Sequence, residues 1–116
     1  METLTIYHNP RCSKSRSALA LLEERKVPLR IVEYLKEPPT RAELATLRRK
    51  LGLAPSEWIR KNESEYKAAG LDAKSAEDKV LDAMAKHPIL IERPIIVRGD
   101  RAVVGRPPER VLELLK

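Results

Sequence analysis

One cysteine is the residue of this chain best suited to chemistry. Cys12 is the only cysteine among 116 residues, and it lies in the polar segment HNPRCSKSR between an apolar run and a helical pattern. A helix N-terminus offers unpaired N–H groups and the positive end of the helix dipole, so a thiolate at Cys12 would be stabilised there. The alternative, a small buried hydrophobe, suits so polar a turn poorly. The segment predicts a nucleophilic thiol with a lowered pKa.

Four side chains near Cys12 in sequence support this prediction. His8, Arg11 and Lys14 can favour the thiolate, and Ser15 can offer a hydroxyl to the sulfur. His8 is interpreted as a tuner of the thiol, the alternative being a core or surface histidine. Redox proteins with a C-x-x-C motif use the second thiol to resolve a mixed disulfide, but here Ser15 holds that position. A thiol from outside the chain must therefore resolve any adduct on Cys12, which implies glutathione or a protein carrying it.

The elements around Cys12 follow a strand, helix, strand order. The run 3–7 is rich in β-branched and aromatic residues and ends at Asn-Pro, which predicts a strand. Apolar residues then recur at helical spacing from Ser13 until Pro28, and 29–35 reads as a second strand. A βαβ unit of this length predicts two parallel strands, with Cys12 in the turn after the first.

A mostly helical insertion is predicted at about 40–88. Thr40 and Glu43 form a capping-box pattern before a helix that Gly52 ends, and Ser75 is the expected N-cap of the insertion's last helix.

Two strands and a helix are predicted after the insertion. The runs PIIVR and AVVG flank Gly99-Asp100 as a hairpin, and PPERVLELLK is an amphipathic helix expected to face Val111, Leu112 and Leu115 inward. The fold class is therefore α/β, in an order that resembles the thioredoxin-like fold: βαβ, helical insertion, ββα, with a four-stranded mixed sheet. We expect residues 1–116 to form a single domain.

The composition limits the classes of partner that we expect this protein to bind. The net charge of +6 and the pI near 9.7 favour anionic partners. One Trp, three Tyr and no Phe leave few aromatic side chains on which bases could stack, so we expect that nucleic acid is not a partner. No apolar run approaches the roughly twenty residues of a membrane span, and we expect no membrane association. The N-terminus lacks a secretory pattern and a lone thiol suits a reducing compartment, so a cytoplasmic location is predicted.

Several motifs in register resemble one family. YHNPRCSKSR is similar to the active-site segment of the glutaredoxin-linked arsenate reductases, the ArsC family of the thioredoxin-like fold, and YLKEPPTRAEL, WIRKNESEYK, HPILIERPIIV and VGRPPERVLEL match it in type, order and spacing. The resemblance implies an enzyme that reduces arsenate to arsenite through a thiol-arsenate adduct on Cys12. Glutathione as co-substrate and glutaredoxin would resolve the adduct, and neither a bound cofactor nor a metal is implied.

The resemblance also assigns residues. It implies Cys12 as nucleophile, His8 and Ser15 as stabilisers of its thiolate, and a cis peptide bond at Pro94 facing the cysteine loop. It further implies three arginines that hold the oxyanion, namely Arg60, Arg93 and Arg106. A guanidinium fork suits a tetrahedral oxyanion better than an ammonium does.

Two other functions fit the same fold. The Spx-type proteins are redox-responsive transcriptional regulators that bind RNA polymerase and typically use C-x-x-C, which Ser15 and the three arginines disfavour. A glutathione-dependent thiol reductase acting on another substrate is the third hypothesis, and the HNP before Arg11-Cys12 favours arsenate over it.

Overall fold

A four-stranded mixed sheet carries the cysteine loop. In the computed structural model, which describes residues 2–115, the strands are β1 (Leu4–His8), β2 (Leu29–Glu33), β3 (Ile95–Arg98) and β4 (Arg101–Val104). Their order in the sheet is β2-β1-β3-β4, with β1 and β2 parallel and the other two pairs antiparallel. The predicted α/β fold class, with its parallel βαβ half and its hairpin half, is confirmed.

The core of this sheet unit is made by alternate strand residues and one helix face. Helix α1 (Ser13–Glu24) packs on β1, and Leu4 and Ile6 of β1 are completely buried. Burying each such side chain contributes about 1.5–3 kcal/mol relative to leaving it exposed. The buried core comprises Leu4, Ile6, Ala18, Leu22, Val27, Ile96, Val111 and Leu114.

The register brings four chain segments to one edge of the sheet. His8 pairs with Glu33, so β1 and β2 end together; Tyr7 pairs with Ile95, and Ile95 with Val104, so β3 begins and β4 ends at the same level. Residues that follow β1, β2 and β4, and those that precede β3, therefore converge. We refer to this end of the sheet as the site edge.

The closing helix differs in type from the prediction. It is a 3₁₀ helix over Pro108–Leu115, in which Val111 and Leu114 are buried, while Leu112 and Leu115 are only partly buried. A 3₁₀ helix has three residues per turn, so residues three apart share a face, whereas the prediction assumed α-helical spacing. Lys116, the last residue of the predicted helix, lies outside the described residues.

The described residues divide into two compact units. One is Pro38–Glu92, which we call the insertion unit. The other, which we call the sheet unit, consists of the segment up to Glu37 and the segment from Arg93 onward. The insertion unit covers the helical insertion predicted at about 40–88, while the single-domain assignment stays a prediction. The helices of the insertion unit are α2 (Arg41–Leu51), α3 (Ser64–Ala68) and α4 (Glu77–Lys86), with 3₁₀ turns at Pro55–Glu57 and Pro88–Leu90.

Local signals account for both ends of α2. Thr40 and Glu43 form the predicted capping box at the start of α2, and Gly52 ends that helix with a left-handed φ of 67°. Ser75 is not an N-cap, because α4 begins at Glu77 and the Ser75 hydroxyl instead accepts a hydrogen bond from the Asp72 N–H at 2.9 Å. Within residues 2–115 no helix is both long and apolar enough to span a bilayer.

Candidate active site

The loop after β1 is built on a buried asparagine. Asn9 accepts the Cys12 N–H on its backbone carbonyl (3.0 Å) and the Arg11 N–H on its side-chain oxygen (3.0 Å). Asparagine stabilises tight turns by such bonds to the backbone two residues on. The turn presents Cys12 as the N-cap of α1, with extended backbone (φ −93°, ψ 122°). The Asn-Pro pair marked a turn in the sequence, but nothing there identified Asn9 as its scaffold.

The Cys12 sulfur lies among hydrogen-bond donors. Partial burial of the thiol raises its pKa, but the backbone N–H groups of Ser15 and Lys14 and the Arg93 guanidinium outweigh this effect and leave the pKa below its ordinary value. The sulfur makes no side-chain capping hydrogen bond to α1. Cys12 is a free, partly exposed thiol. These contacts favour a thiolate that solvent can reach.

His8 and Ser15, which flank the Cys12 loop in the sequence, form a buried pair. His8 Nδ1 lies 2.6 Å from the Ser15 hydroxyl oxygen, which also accepts the Asn9 N–H at 3.1 Å. Burial lowers the pKa of His8 despite the opposing charge of Glu33, which favours the neutral imidazole. Ser15 is fully buried, and its hydroxyl can donate to the neutral Nδ1. The structure therefore links His8 to Cys12 through Ser15, whose hydroxyl meets His8 and whose backbone N–H favours the thiolate.

Arg93 reaches Cys12 from the start of β3. Its guanidinium interacts with the Cys12 sulfur and with Tyr34, and its Nε and Nη1 atoms are shielded from solvent. The Arg93–Pro94 peptide bond is cis. The site edge brings these residues together, since Arg93 precedes β3 while Cys12 follows β1 and Tyr34 follows β2.

Arg106 lies against the same segment. Its Nη1 donates to the Arg93 carbonyl at 3.3 Å, and the Gly105 N–H before it donates to the Pro94 carbonyl at 2.8 Å. The Arg106–Pro107 bond is also cis, a feature that the sequence did not predict. Two of the three predicted arginines are thus neighbours at the site edge.

Arg60 belongs to the insertion unit. Its Nε donates to Glu63 at 3.2 Å and its Nη1 to Glu92 at 3.1 Å, while its backbone N–H donates to the Leu90 carbonyl at 2.7 Å. Two carboxylates therefore offset the charge of this guanidinium. The assigned role of Arg60 stays a prediction, as do those of the other site residues.

Two residues that sequence reasoning missed belong to the site: Asn9, as the scaffold of the turn, and Tyr34, beside Arg93. Tyr34 stands in the motif YLKEPP, but only the pairing of β2 with β1 reveals its place. Within residues 2–115 no group of three or more potential metal-binding side chains comes together.

Known proteins are similar to this chain over nearly its whole length. The profile of the ArsC family matches residues 7–114. An "Arsenate reductase" of Neisseria meningitidis serogroup A is 46% identical over 99% of this chain and 100% of its own length. A protein of the same name from Escherichia coli K12 is 41% identical over 99% of this chain and 82% of its own length. The solved structure "Arsenate reductase from Vibrio cholerae" is 46% identical, with a TM-score of 0.92 and 97% of each chain covered.

Proposed function

Because the chain belongs to the ArsC family, as its motifs predict, we propose that it is an arsenate reductase with Cys12 as its nucleophile. The observation that carries the proposal is the contact between the Cys12 sulfur and the Arg93 guanidinium at a helix N-terminus. A thiolate beside a guanidinium combines a nucleophile with a group that binds tetrahedral oxyanions.

The proposed chemistry begins with an adduct. The Cys12 thiolate attacks the arsenic of arsenate, an S–As bond forms, and one arsenate oxygen leaves as water after protonation. A glutathione thiolate then attacks the Cys12 sulfur, and the electrons of the S–As bond pass to arsenic, which is reduced from As(V) to As(III). Arsenite leaves, and the two thiols have become a Cys12–glutathione disulfide. A glutaredoxin thiol takes the glutathione and returns Cys12 as the thiolate.

The arginines would bind the oxyanion and neutralise charge as it moves. Arg93 already contacts the sulfur that attacks, and Arg106 is held beside it by the Arg93 carbonyl. Arg60 is proposed as the third ligand on the family resemblance, and an anion would share its guanidinium with Glu63 and Glu92. Guanidinium groups aimed at developing charge are effective when water is excluded.

The requirement for an outside thiol follows from the whole sequence. Cys12 is its only cysteine, so the second electron-donating thiol must come from a partner. We propose glutathione as co-substrate and glutaredoxin as partner, with no bound cofactor. Both suit a reducing compartment such as the cytoplasm.

Arsenate-dependent oxidation of NADPH tests the proposal, with purified protein, glutathione, glutaredoxin and glutathione reductase. We expect turnover that stops when arsenate, glutathione or glutaredoxin is omitted and when Cys12 is replaced by Ser. Equal turnover with thioredoxin and thioredoxin reductase alone would contradict the glutathione assignment. Turnover of a small disulfide without any turnover of arsenate would favour the thiol reductase, and capture of RNA polymerase without either would favour the regulator.

A further inference from the structure

Asn9 closes the Cys12 loop through both its side chain and its backbone. The residue directly follows β1 and is only 6% exposed. Its side-chain oxygen accepts the Arg11 N–H and its backbone carbonyl accepts the Cys12 N–H, each at 3.0 Å. Its own N–H donates to the Ser15 hydroxyl at 3.1 Å. One asparagine thus joins the end of β1, the turn and the first turn of α1.

These hydrogen bonds constrain the backbone of Cys12. Its N–H is held by the Asn9 carbonyl, and its carbonyl accepts the Arg16 N–H at 3.0 Å, which begins the hydrogen bonding of α1. With both groups engaged, Cys12 keeps the extended conformation of an N-cap residue (φ −93°, ψ 122°). A side chain in this conformation faces the N–H groups that have no partner within the helix. The closed turn therefore keeps the sulfur where such donors can stabilise a thiolate.

We propose that Asn9 is a positioning residue for Cys12: its side-chain amide closes the turn and so holds the sulfur at the start of α1. The inference deepens the proposed function and rests on it for the role of Asn9 in turnover. An aspartate could accept the same Arg11 N–H, but a buried carboxylate so near the thiol would disfavour the thiolate by repulsion. A neutral acceptor therefore suits a loop that carries a nucleophilic sulfur.

Asn9→Ala tests this role without arsenate. The rate of Cys12 alkylation by iodoacetamide is measured against pH, because it reports the thiolate fraction whether or not arsenate is the substrate. The variant loses one hydrogen bond that orders the loop, so it should react roughly threefold more slowly near neutral pH. It should reach the native rate at high pH, where the thiol is fully ionised in both proteins. Identical profiles for Asn9→Ala and the native protein would overturn the proposal.

Asn9→Ser should restore part of the native rate. A serine hydroxyl is a neutral acceptor that can bind the same backbone N–H more weakly than an asparagine does, so its rate should lie between those of Asn9→Ala and the native protein. Equal rates for Asn9→Ser and Asn9→Ala would show that the hydrogen bond is not what positions the thiol. If Asn9→Ala does not fold, Asn9→Ser carries the test, and a native profile in that variant would overturn the proposal.

Thr40→Ala is the matched control. The Thr40 hydroxyl accepts the Glu43 N–H at 3.1 Å, so this variant also loses a side-chain bond to a backbone N–H at a helix start, but in the insertion unit. The free energy of unfolding should fall, while the alkylation profile stays native. An equal shift of the profile in Thr40→Ala would show that Asn9 acts only through general stability. If arsenate turnover is absent but Asn9→Ala slows alkylation as expected, the proposed function fails and Asn9 still positions the thiol.

Discussion

The reactivity of Cys12 depends on a few oriented donors more than on the excess of basic residues. Burial opposes the thiolate, and the groups that overcome burial are the N–H groups of Ser15 and Lys14 and the side chain of Arg93. Arg93 comes from a distant part of the sequence and reaches the sulfur because β3 starts where β1 ends. Of 23 lysines and arginines, one well-placed guanidinium thus matters more than the charges adjacent in sequence.

The lowered pKa of Cys12 predicts a pH dependence of stability. The folded thiol titrates below its ordinary value of 9.0, so the unfolded chain binds more protons between the two values. The stabilising effect of the thiolate is complete above about pH 9 and is lost as pH falls through the folded pKa. The free energy of unfolding of the native protein should therefore exceed that of Cys12→Ala by more at pH 9.5 than at pH 6. Urea titrations at the two pH values measure these free energies of unfolding. If the difference between the native protein and Cys12→Ala were the same at both pH values, it would contradict the donor arrangement.

Replacing Arg93 or Arg106 by Lys separates fork geometry from charge. Lysine keeps the positive charge but cannot hold two oxygens in one plane, so each variant should lose roughly tenfold or more in arsenate turnover. A lower kcat would show that the arginines stabilise developing charge. A higher KM with unchanged kcat would show that they only capture the anion.

Arg48→Lys is the control for these variants. Arg48 is an exposed arginine of α2 that pairs with Glu77 at 2.6 Å, and an exposed pair of this kind contributes little to stability. Its turnover should match the native protein. If all three variants behave alike, Arg93 and Arg106 do not bind the substrate.

At the scale of elements, a glycine at the end of β4 lets three segments meet. A Cβ atom on Gly105 would lie 2.9 Å from Pro94 Cγ, 3.1 Å from Val111 Cγ1 and 3.2 Å from Ile96 Cδ1. The Gly105 N–H also donates to the Pro94 carbonyl, so strand, proline loop and C-terminal 3₁₀ helix pack at this point. The close approach holds the Arg93–Pro94 segment beside Arg106.

Gly105→Ala should therefore affect both stability and the site. Overpacking at so tight a contact costs about 1–3 kcal/mol in the free energy of unfolding, and displacement of the Arg93–Pro94 segment should slow Cys12 alkylation. Gly52→Ala is the comparison: no atom lies within 4 Å of its Cβ position, but its φ of 67° makes alanine cost about 1–2 kcal/mol. Gly52→Ala should leave alkylation unchanged. Equal rates of Cys12 alkylation in Gly105→Ala and Gly52→Ala would show that Gly105 does not affect the site.

At the scale of the whole molecule, the order of elements was predictable and the long-range contacts were not. Three local signals mark element boundaries that the structure has: the Asn-Pro pair after a β-branched run, the pair of Thr40 and Glu43, and Gly52. Ser75 failed as a cap because the Asp72 turn takes its hydroxyl, and the C-terminal helix differs because its hydrogen bonds join residues three apart. The contacts of Arg93 with Cys12 and Tyr34 depend on strand register, which local patterns do not specify.

A chain with one thiol cannot resolve its own disulfide, and this property predicts how its glutathione adduct behaves. Oxidation in the presence of glutathione should add one glutathione to each chain, detected by mass spectrometry, and none to Cys12→Ser. The native adduct should persist until glutaredoxin or excess glutathione is supplied. Ser15→Cys places a second thiol at the C-x-x-C position of the same helix start, so it should release the glutathione unaided as an internal disulfide forms. If the native protein releases glutathione as fast as Ser15→Cys does, the adduct does not need an outside thiol and the proposed order of steps is wrong.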